Sequence, residues 1–188
     1  MSESDLIVRA QSGDIQAFEA LIRSYDRKVL GFALRLLKNP DDAKDAYQDV
    51  FLKAFQALPG FRHKSQFSTW LYKIAYHTCV NYMRKRKTIQ GRLFFSEDEE
   101  NRNSVILRDK NAIDPEEDFL QKELAVEIEK IVRTFSPQMQ AIFYLRYQNE
   151  LSLKEISSAT GLSLNSVKNY LFRMHGKLRR QLTDYLKG

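Results

Sequence analysis

The chain has 188 residues, and its 30 lysines and arginines against 24 aspartates and glutamates give a formal net charge of +6. It is 43% hydrophobic with only 7 glycines and 4 prolines, a composition that favours long helices over a turn-rich β-architecture. A single cysteine excludes an internal disulfide, and no apolar run reaches the roughly 18 residues that a bilayer span requires. We therefore predict an all-α, cytoplasmic protein of two small helical domains, without direct membrane insertion.

Charge is distributed in blocks along the chain. Residues 59–95 carry 8 lysines and arginines and no acidic residue, and residues 134–188 carry 8 basic residues against 3 acidic ones. Between them, residues 96–133 carry 12 acidic residues against 6 basic ones. Two basic blocks are typical of a chain that meets nucleic acid at two places, and a solvated basic face is the plainer alternative.

Helical periodicity fills the first half of the chain. Helices are predicted over residues 6–10, 14–38, 40–58 and about 68–87. Asp14 and Asn39 precede two of them and suit the N-cap position, and Pro40 is tolerated in the first helical turn. A loop, Phe61 to Phe67, separates the last two of these helices and holds three basic or potentially basic side chains.

The periodicity fades after this helix, and the acidic run Glu97-Asp98-Glu99-Glu100 suits an exposed, flexible linker. Helical pattern then resumes at Pro115 and Pro137, behind the capping residues Asp114 and Ser136. The predicted organisation is a first domain at residues 1–90, a linker at 91–114 and a second domain at 115–188.

The end of the chain predicts a helix-turn-helix. A short helix around Ile156 precedes a tight turn at Gly161, and Ser163 caps a longer final helix whose inner stripe includes Val167 and Leu171. The second helix of such a motif lies in the major groove, so its outer face supplies the candidates for reading duplex DNA. These candidates are Asn165, Ser166, Lys168, Asn169, Phe172, Arg173 and Lys177. The alternative is a polar face on an ordinary helical hairpin.

A second candidate surface lies on the helix that follows the loop. Lys73, His77 and Arg84 align on one stripe at about 100° per residue, with Trp70 at its margin and Tyr76 and Lys87 beside it. Aromatic rings interleaved with cations suit single-stranded nucleic acid, because rings stack on bases while cations follow phosphates. The plainer interpretation gives Trp70 to the hydrophobic core.

Four motifs in order along the chain carry a resemblance to a known family. They are Gly13-Asp14 with Ala17-Phe18, then Asp41-Asp42-Ala43 with Asp45, Gln48 and Asp49, then Phe67-Ser68-Thr69-Trp70-Leu71-Tyr72-Lys73-Ile74-Ala75 followed by Arg84-Lys85-Arg86-Lys87, and finally Ser166-Val167-Lys168 with Leu171 and Arg173. Together they resemble the extracytoplasmic-function sigma factors, group 4 of the sigma-70 family. His77 and Tyr170 depart from the usual pattern, in which Asn and Arg are common at these positions.

The resemblance implies a subunit that brings core RNA polymerase to promoter DNA in a stress or envelope-signal response, with an anti-sigma factor as a further partner. It implies polymerase binding by Asp41, Asp45, Gln48 and Asp49. It implies contact with the minus-10 element by Phe61, Arg62, His63, Lys64, Ser65, Trp70, Lys73, Tyr76, His77, Arg84 and Lys87. The outer face of the final helix would read the minus-35 element.

Two other functions are alternatives for this sequence. A helix-turn-helix repressor or activator would use the same final helix, but a dimerising domain has no need of a basic aromatic helix fitted to single strands. An enzyme has little support, because His63, His77, Cys79 and His175 lack the spacing of metal ligands and no phosphate-binding loop or nucleophile motif is present. We expect no catalytic residue, no cofactor, no metal and no small-molecule substrate.

Overall fold

The computed structural model describes residues 2–92 and 115–185, with side chains over 2–86, 123–183 and 185. The first part contains the helices α1 (Glu3–Gln11), α2 (Ile15–Arg23), α3 (Asp26–Leu37), α4 (Pro40–Ala57) and α5 (Phe67–Arg92), with a 3₁₀ turn at Leu58–Gly60. The second contains α6 (Pro115–Arg133), α7 (Pro137–Tyr147), α8 (Leu153–Thr160) and α9 (Leu164–Tyr185). No strand occurs in these described residues, which confirms the all-α prediction.

The chain divides into two compact units. The predicted linker, residues 91–114, lies outside the described residues except for its first two positions, which continue α5. None of the helices in the described ranges is long and apolar enough to cross a bilayer.

Side-chain caps start the helices where the sequence predicted them. The Asp14 carboxylate accepts a hydrogen bond from the Ala17 N–H at 3.0 Å, and the Asn39 side-chain oxygen accepts from the Asp41 N–H at 2.9 Å. The Ser136 hydroxyl accepts from the Met139 N–H at 3.4 Å. These oxygens satisfy amide donors that have no partner inside the helix.

One predicted helix is wrong. The span from Asp14 to Lys38 is not continuous, because α2 ends at Arg23 and α3 begins at Asp26. The Tyr25 N–H donates to the Ile22 carbonyl at 2.8 Å, three residues back as in a 3₁₀ turn and not four as in an α-helix, and the Ser24 hydroxyl donates to the Leu21 carbonyl at 3.1 Å. Both linking residues keep right-handed backbone angles, so the apolar periodicity continues across the break.

The core of the first unit forms where α3, α4 and α5 pack pairwise, while α1 packs against α2. Its fully buried large side chains include Phe32, Leu71 and Tyr72. Burial of one face of α5 leaves its opposite face at the surface. The polar stripe of that helix is therefore held on a rigid element, which is the arrangement that a binding surface requires.

The second unit packs α6, α7 and α9 around buried side chains that include Ile142, Tyr144 and Met174. Ser152 and Glu155 form a reciprocal capping box at the start of α8. Gly161 ends α8 with φ of 76°, a left-handed conformation that glycine adopts without steric cost. The Ser163 hydroxyl then accepts from the Ser166 N–H at 3.1 Å and begins α9, so the predicted helix-turn-helix is confirmed.

Candidate nucleic-acid interface

The outward face of α5 carries the predicted cationic stripe. Lys73, His77 and Arg84 are all exposed, whereas Ala75 on the opposite face is fully buried. Partial burial lowers the pKa of His77, and the positive charges of Lys73 and Arg84 lower it further. His77 is therefore uncharged at neutral pH and can donate or accept a hydrogen bond within a cationic surrounding. The side chain of Lys87 lies outside the described residues.

An aromatic cluster anchors the loop that precedes α5. The Phe61 ring lies 5.2 Å from the Trp70 ring and 4.8 Å from the His63 ring, measured between centroids, and Phe67 lies 5.5 Å from Trp70. Phe61 is 6% exposed and Phe67 is 2% exposed, while Trp70 is half-buried. The Tyr76 ring, predicted to lie beside the stripe, is also buried. Trp70 therefore packs partly in the hydrophobic core and is partly available at the surface.

A cavity of about 500 Å³ opens beside this loop. The loop and the start of α5 supply one wall, and α1 with Tyr25 supplies the other. The lining residues are Glu3, Ser4, Ile7, Tyr25, Phe61, His63, Ser65, Gln66, Phe67 and Ser68. Arg62 and Lys64 belong to the same loop and are exposed, and His63 between them has a positive φ of 53°. A cavity that combines rings with small polar groups can accept a flat, hydrogen-bonding molecule.

The predicted acidic face of α4 is present but not uniform. Asp41, Asp45 and Gln48 are exposed. Asp49 is half-buried, and its carboxylate accepts a hydrogen bond from the Tyr82 hydroxyl at 3.1 Å. The pKa of Tyr82 is raised to about 12, mainly by burial and to a smaller extent by this hydrogen bond. Asp49 therefore links α4 to α5, in addition to any role at the surface.

Two exposed apolar residues that the sequence did not predict also lie on this face. Leu52 and Phe55 are 56% and 38% exposed, and they follow Gln48 at spacings that place all three on one side of α4. Large exposed apolar side chains beside polar ones are typical of a protein-binding surface. The available signal was their position outside the buried stripe of α4.

The outward face of α9 shows the predicted pattern. Asn165, Lys168, Asn169 and Arg173 are exposed, and the Phe172 ring is 79% exposed. Such exposure of a phenylalanine has no packing explanation within the unit.

Two other candidates on α9 are engaged within the second unit. The Ser166 hydroxyl lies 2.8 Å from the Ser163 hydroxyl. The Lys177 ammonium donates to the Thr134 hydroxyl at 2.8 Å and lies 5.4 Å from the centre of the Phe135 ring.

The described residues contain no group of three histidine, cysteine or acidic side chains that could hold a metal ion.

Comparison with known proteins decides the family. A model of Sigma-70 region 2 matches residues 21–89, and a model of Sigma-70, region 4 matches residues 125–174. The ECF RNA polymerase sigma-E factor of Haemophilus influenzae is 30% identical over 188 residues, covering 97% of this chain and 96% of that protein. The chain belongs to the ECF sigma factor family.

A second relative of this sigma factor agrees. The RNA polymerase sigma-H factor of Pseudomonas aeruginosa is 28% identical over 187 residues, covering 98% of this chain and 96% of that protein. The family resemblance is thus confirmed, and the sigma factor directs transcription initiation and is not an enzyme.

Two solved structures share the fold. One is CnrH in complex with the cytosolic domain of CnrY, with a TM-score of 0.65, 20% identity, and coverage of 95% of this chain and 96% of that one. The other is the sigma factor RpoE in complex with the anti-sigma factor NepR from Bartonella quintana, with a TM-score of 0.65, 19% identity, and coverage of 90% and 98%.

Proposed function

We propose that this sigma factor works in the cytoplasm as a two-part adaptor between core RNA polymerase and promoter DNA. Residues 1–90 bind the polymerase and the minus-10 element, residues 115–188 bind the minus-35 duplex, and residues 91–114 link them. The observation that carries this proposal is the combination, within one unit, of an exposed cationic stripe and an aromatic cavity beside a basic loop.

At the minus-10 element, the cavity captures one unstacked base. Its volume of about 500 Å³ lies within the range of roughly 300–1,000 Å³ typical of small-ligand sites. The polar side chains of Ser65 and Gln66 line it and can pair with a base edge, while Lys73 and Arg84 on α5 follow the phosphates. The rings of Phe61 and Tyr76 are buried, so we assign them to holding the loop and α5 in place, with direct contact left to exposed neighbours.

At the minus-35 element, the exposed face of α9 enters the major groove. Asn165 and Asn169 can pair with adenine, Arg173 with guanine, and the Phe172 ring can pack on a thymine methyl group. Lys168 neutralises phosphate. Ser166 and Lys177 lie at the edge of this surface, and their contacts to Ser163 and Thr134 give them a supporting role as well.

The polymerase-binding surface combines the acidic and apolar parts of α4. Asp41 and Asp45 provide negative charge, Gln48 provides a hydrogen-bonding amide, and Leu52 and Phe55 provide apolar area. Such a surface fits a partner that presents both cations and apolar side chains, because charge guides association while apolar contact supplies affinity.

An anti-sigma factor is the further partner. The two solved structures described above each hold a bound protein, the cytosolic domain of CnrY in one and the anti-sigma factor NepR in the other. We therefore expect an inhibitory protein that competes with core polymerase for this chain. Candidates encoded beside its gene are tested by adding each to a transcription reaction, and failure of all of them to bind or inhibit would count against this part of the proposal.

Transcription in vitro tests the proposal as a whole. Fragmented genomic DNA of the source organism is transcribed by purified core polymerase with and without the chain, and the new 5′ ends are sequenced. Start sites that depend on the chain and share two spaced upstream motifs are expected. High affinity of the chain alone for duplex DNA, with no new start sites, would instead indicate a repressor or activator.

A further inference from the structure

Helix α1 holds the start of the loop at residues 61–67, which we call the capture loop. The Gln11 side-chain amide donates one hydrogen bond to the Phe61 carbonyl at 2.7 Å and another to the Leu58 carbonyl at 3.1 Å. A primary amide has two N–H donors, so both are engaged on the backbone that leads into the loop. Gln11 lies 50 residues from Phe61 in the sequence, and the contact therefore depends on the tertiary fold.

The same helix supports the end of the capture loop. The Tyr25 hydroxyl donates to the Glu3 carboxylate at 2.6 Å, and the Tyr25 ring packs edge-on against Phe67 with centroids 5.4 Å apart. Ile7, one turn from each of these α1 residues and 3% exposed, lines the cavity. Helix α1 thus contacts the backbone at the start of the capture loop through Gln11, and through Tyr25 it supports Phe67 at the end of the loop.

The capture loop contains a feature that needs such support. His63 has φ of 53°, a left-handed conformation that residues other than glycine seldom adopt. Such a residue keeps this conformation only where its surroundings determine it, and here the His63 ring packs 4.8 Å from the Phe61 ring. Gln11 fixes the carbonyl of that same Phe61, and so holds the residue against which the His63 ring packs.

We infer that α1 is a positioning element for base selection at the minus-10 element, and that Gln11 is its principal positioning residue. This rests on the proposed capture of an unstacked base by the loop. Gln11 need not touch the DNA; its two hydrogen bonds set where the polar groups of the loop lie. The match to Sigma-70 region 2 begins at residue 21, so α1 lies outside the matched region.

Three variants separate positioning from general support of the fold. Gln11→Met keeps a side chain of similar length and removes both donors. Gln11→Lys restores a donor that reaches the same carbonyls, and its added charge acts equally on every promoter. Gln16→Met, at an exposed position of α2, is the matched control.

The assay measures holoenzyme affinity on the strongest promoter found by sequencing and on its single-base variants across the minus-10 element. In Gln11→Met the preference for the best base at one position falls about fivefold to tenfold, with core polymerase affinity unchanged. Gln11→Lys recovers most of the preference, and Gln16→Met matches the wild type. An unchanged preference in Gln11→Met, or an equal loss on all four bases, would overturn the inference.

A second measurement needs no DNA and separates this inference from the proposed function. Hydrogen exchange of the peptide covering residues 58–67 is followed in the free, full-length chain. Gln11→Met accelerates exchange there and not in α9, whereas Gln16→Met has no effect. If Gln11→Met accelerates exchange but the wild-type protein shows no base preference, the proposed base capture is refuted and the positioning role of Gln11 stands. Unchanged exchange would refute the positioning role itself.

Discussion

Two adjacent residues of α9 offer a test of which face reads DNA. Leu171 is 7% exposed and Phe172 is 79% exposed, although they are neighbours in sequence and both are large and apolar. Replacing Leu171 by Ala removes buried contacts and lowers the free energy of unfolding by about 2–5 kcal/mol. Replacing Phe172 by Ala removes a ring that faces solvent, so the free energy of unfolding changes by about 0.5 kcal/mol or less.

For DNA affinity the order of the two substitutions is reversed, and Phe172→Ala has the larger effect. Full burial of a phenylalanine side chain is worth about 1.5–3 kcal/mol, and contact with one thymine methyl group covers only part of the ring. Phe172→Ala is therefore expected to weaken binding to the minus-35 duplex by about 1 kcal/mol, or roughly fivefold in Kd. Leu171→Ala keeps the whole reading face and loses affinity only in proportion to the unfolded fraction.

Urea unfolding and fluorescence anisotropy measure the two quantities. Each thymine of the duplex is replaced in turn by deoxyuridine, which lacks the methyl group. At one position the loss caused by Phe172→Ala and the loss caused by the missing methyl group should coincide, so that the double change costs no more than either alone. Additive losses at every position would refute contact of this ring with a thymine methyl group. Destabilisation by Phe172→Ala of more than about 1 kcal/mol would refute the outward placement of the ring.

The other predictions concern charge and titration. Asp45→Lys lowers affinity for core polymerase, measured by competition, and leaves promoter preference unchanged; Asp45 is a cleaner probe than Asp49, whose carboxylate accepts from Tyr82. Acidification below the lowered pKa of His77 gives its ring a positive charge and steepens the salt dependence of single-strand binding by about 0.7. His77→Asn abolishes this change. Burial raises the pKa of Cys79 to about 12, so labelling by a thiol reagent near pH 8 occurs only through unfolding, and labelling as fast as that of the unfolded chain would contradict its burial.

Most helices of the fold could be predicted from short-range features of the sequence. Asp14, Asn39 and Ser136 are capping residues that act on amides two or three positions away, so the sequence contains everything needed to identify them. The break between α2 and α3 carried no such signal. Ser24 and Tyr25 keep helical backbone angles, and the apolar spacing continues through them.

In the candidate site, too, features local to one helix were predictable from the sequence, whereas contacts between distant segments were not. Helical spacing alone placed Lys73 and His77 on an exposed stripe, because the buried face of α5 fixes the opposite one. The anchoring of the Phe61 carbonyl by Gln11 is a contact between residues 50 positions apart in the sequence. Periodicity within one helix cannot reveal contacts of that kind.

The geometry of the cavity also explains why this protein acts with a partner. Opening a duplex costs about 1.4 kcal/mol for each base-pair step, while a base stacked on an aromatic side chain returns roughly 1–3 kcal/mol. In the proposed capture, the cavity of about 500 Å³ takes one base, and the half-buried Trp70 offers little further stacking area. Because a bubble spans several steps, the captured base offsets only a fraction of the cost. The remainder has to come from DNA contacts made by core RNA polymerase, which we propose binds the exposed face of α4.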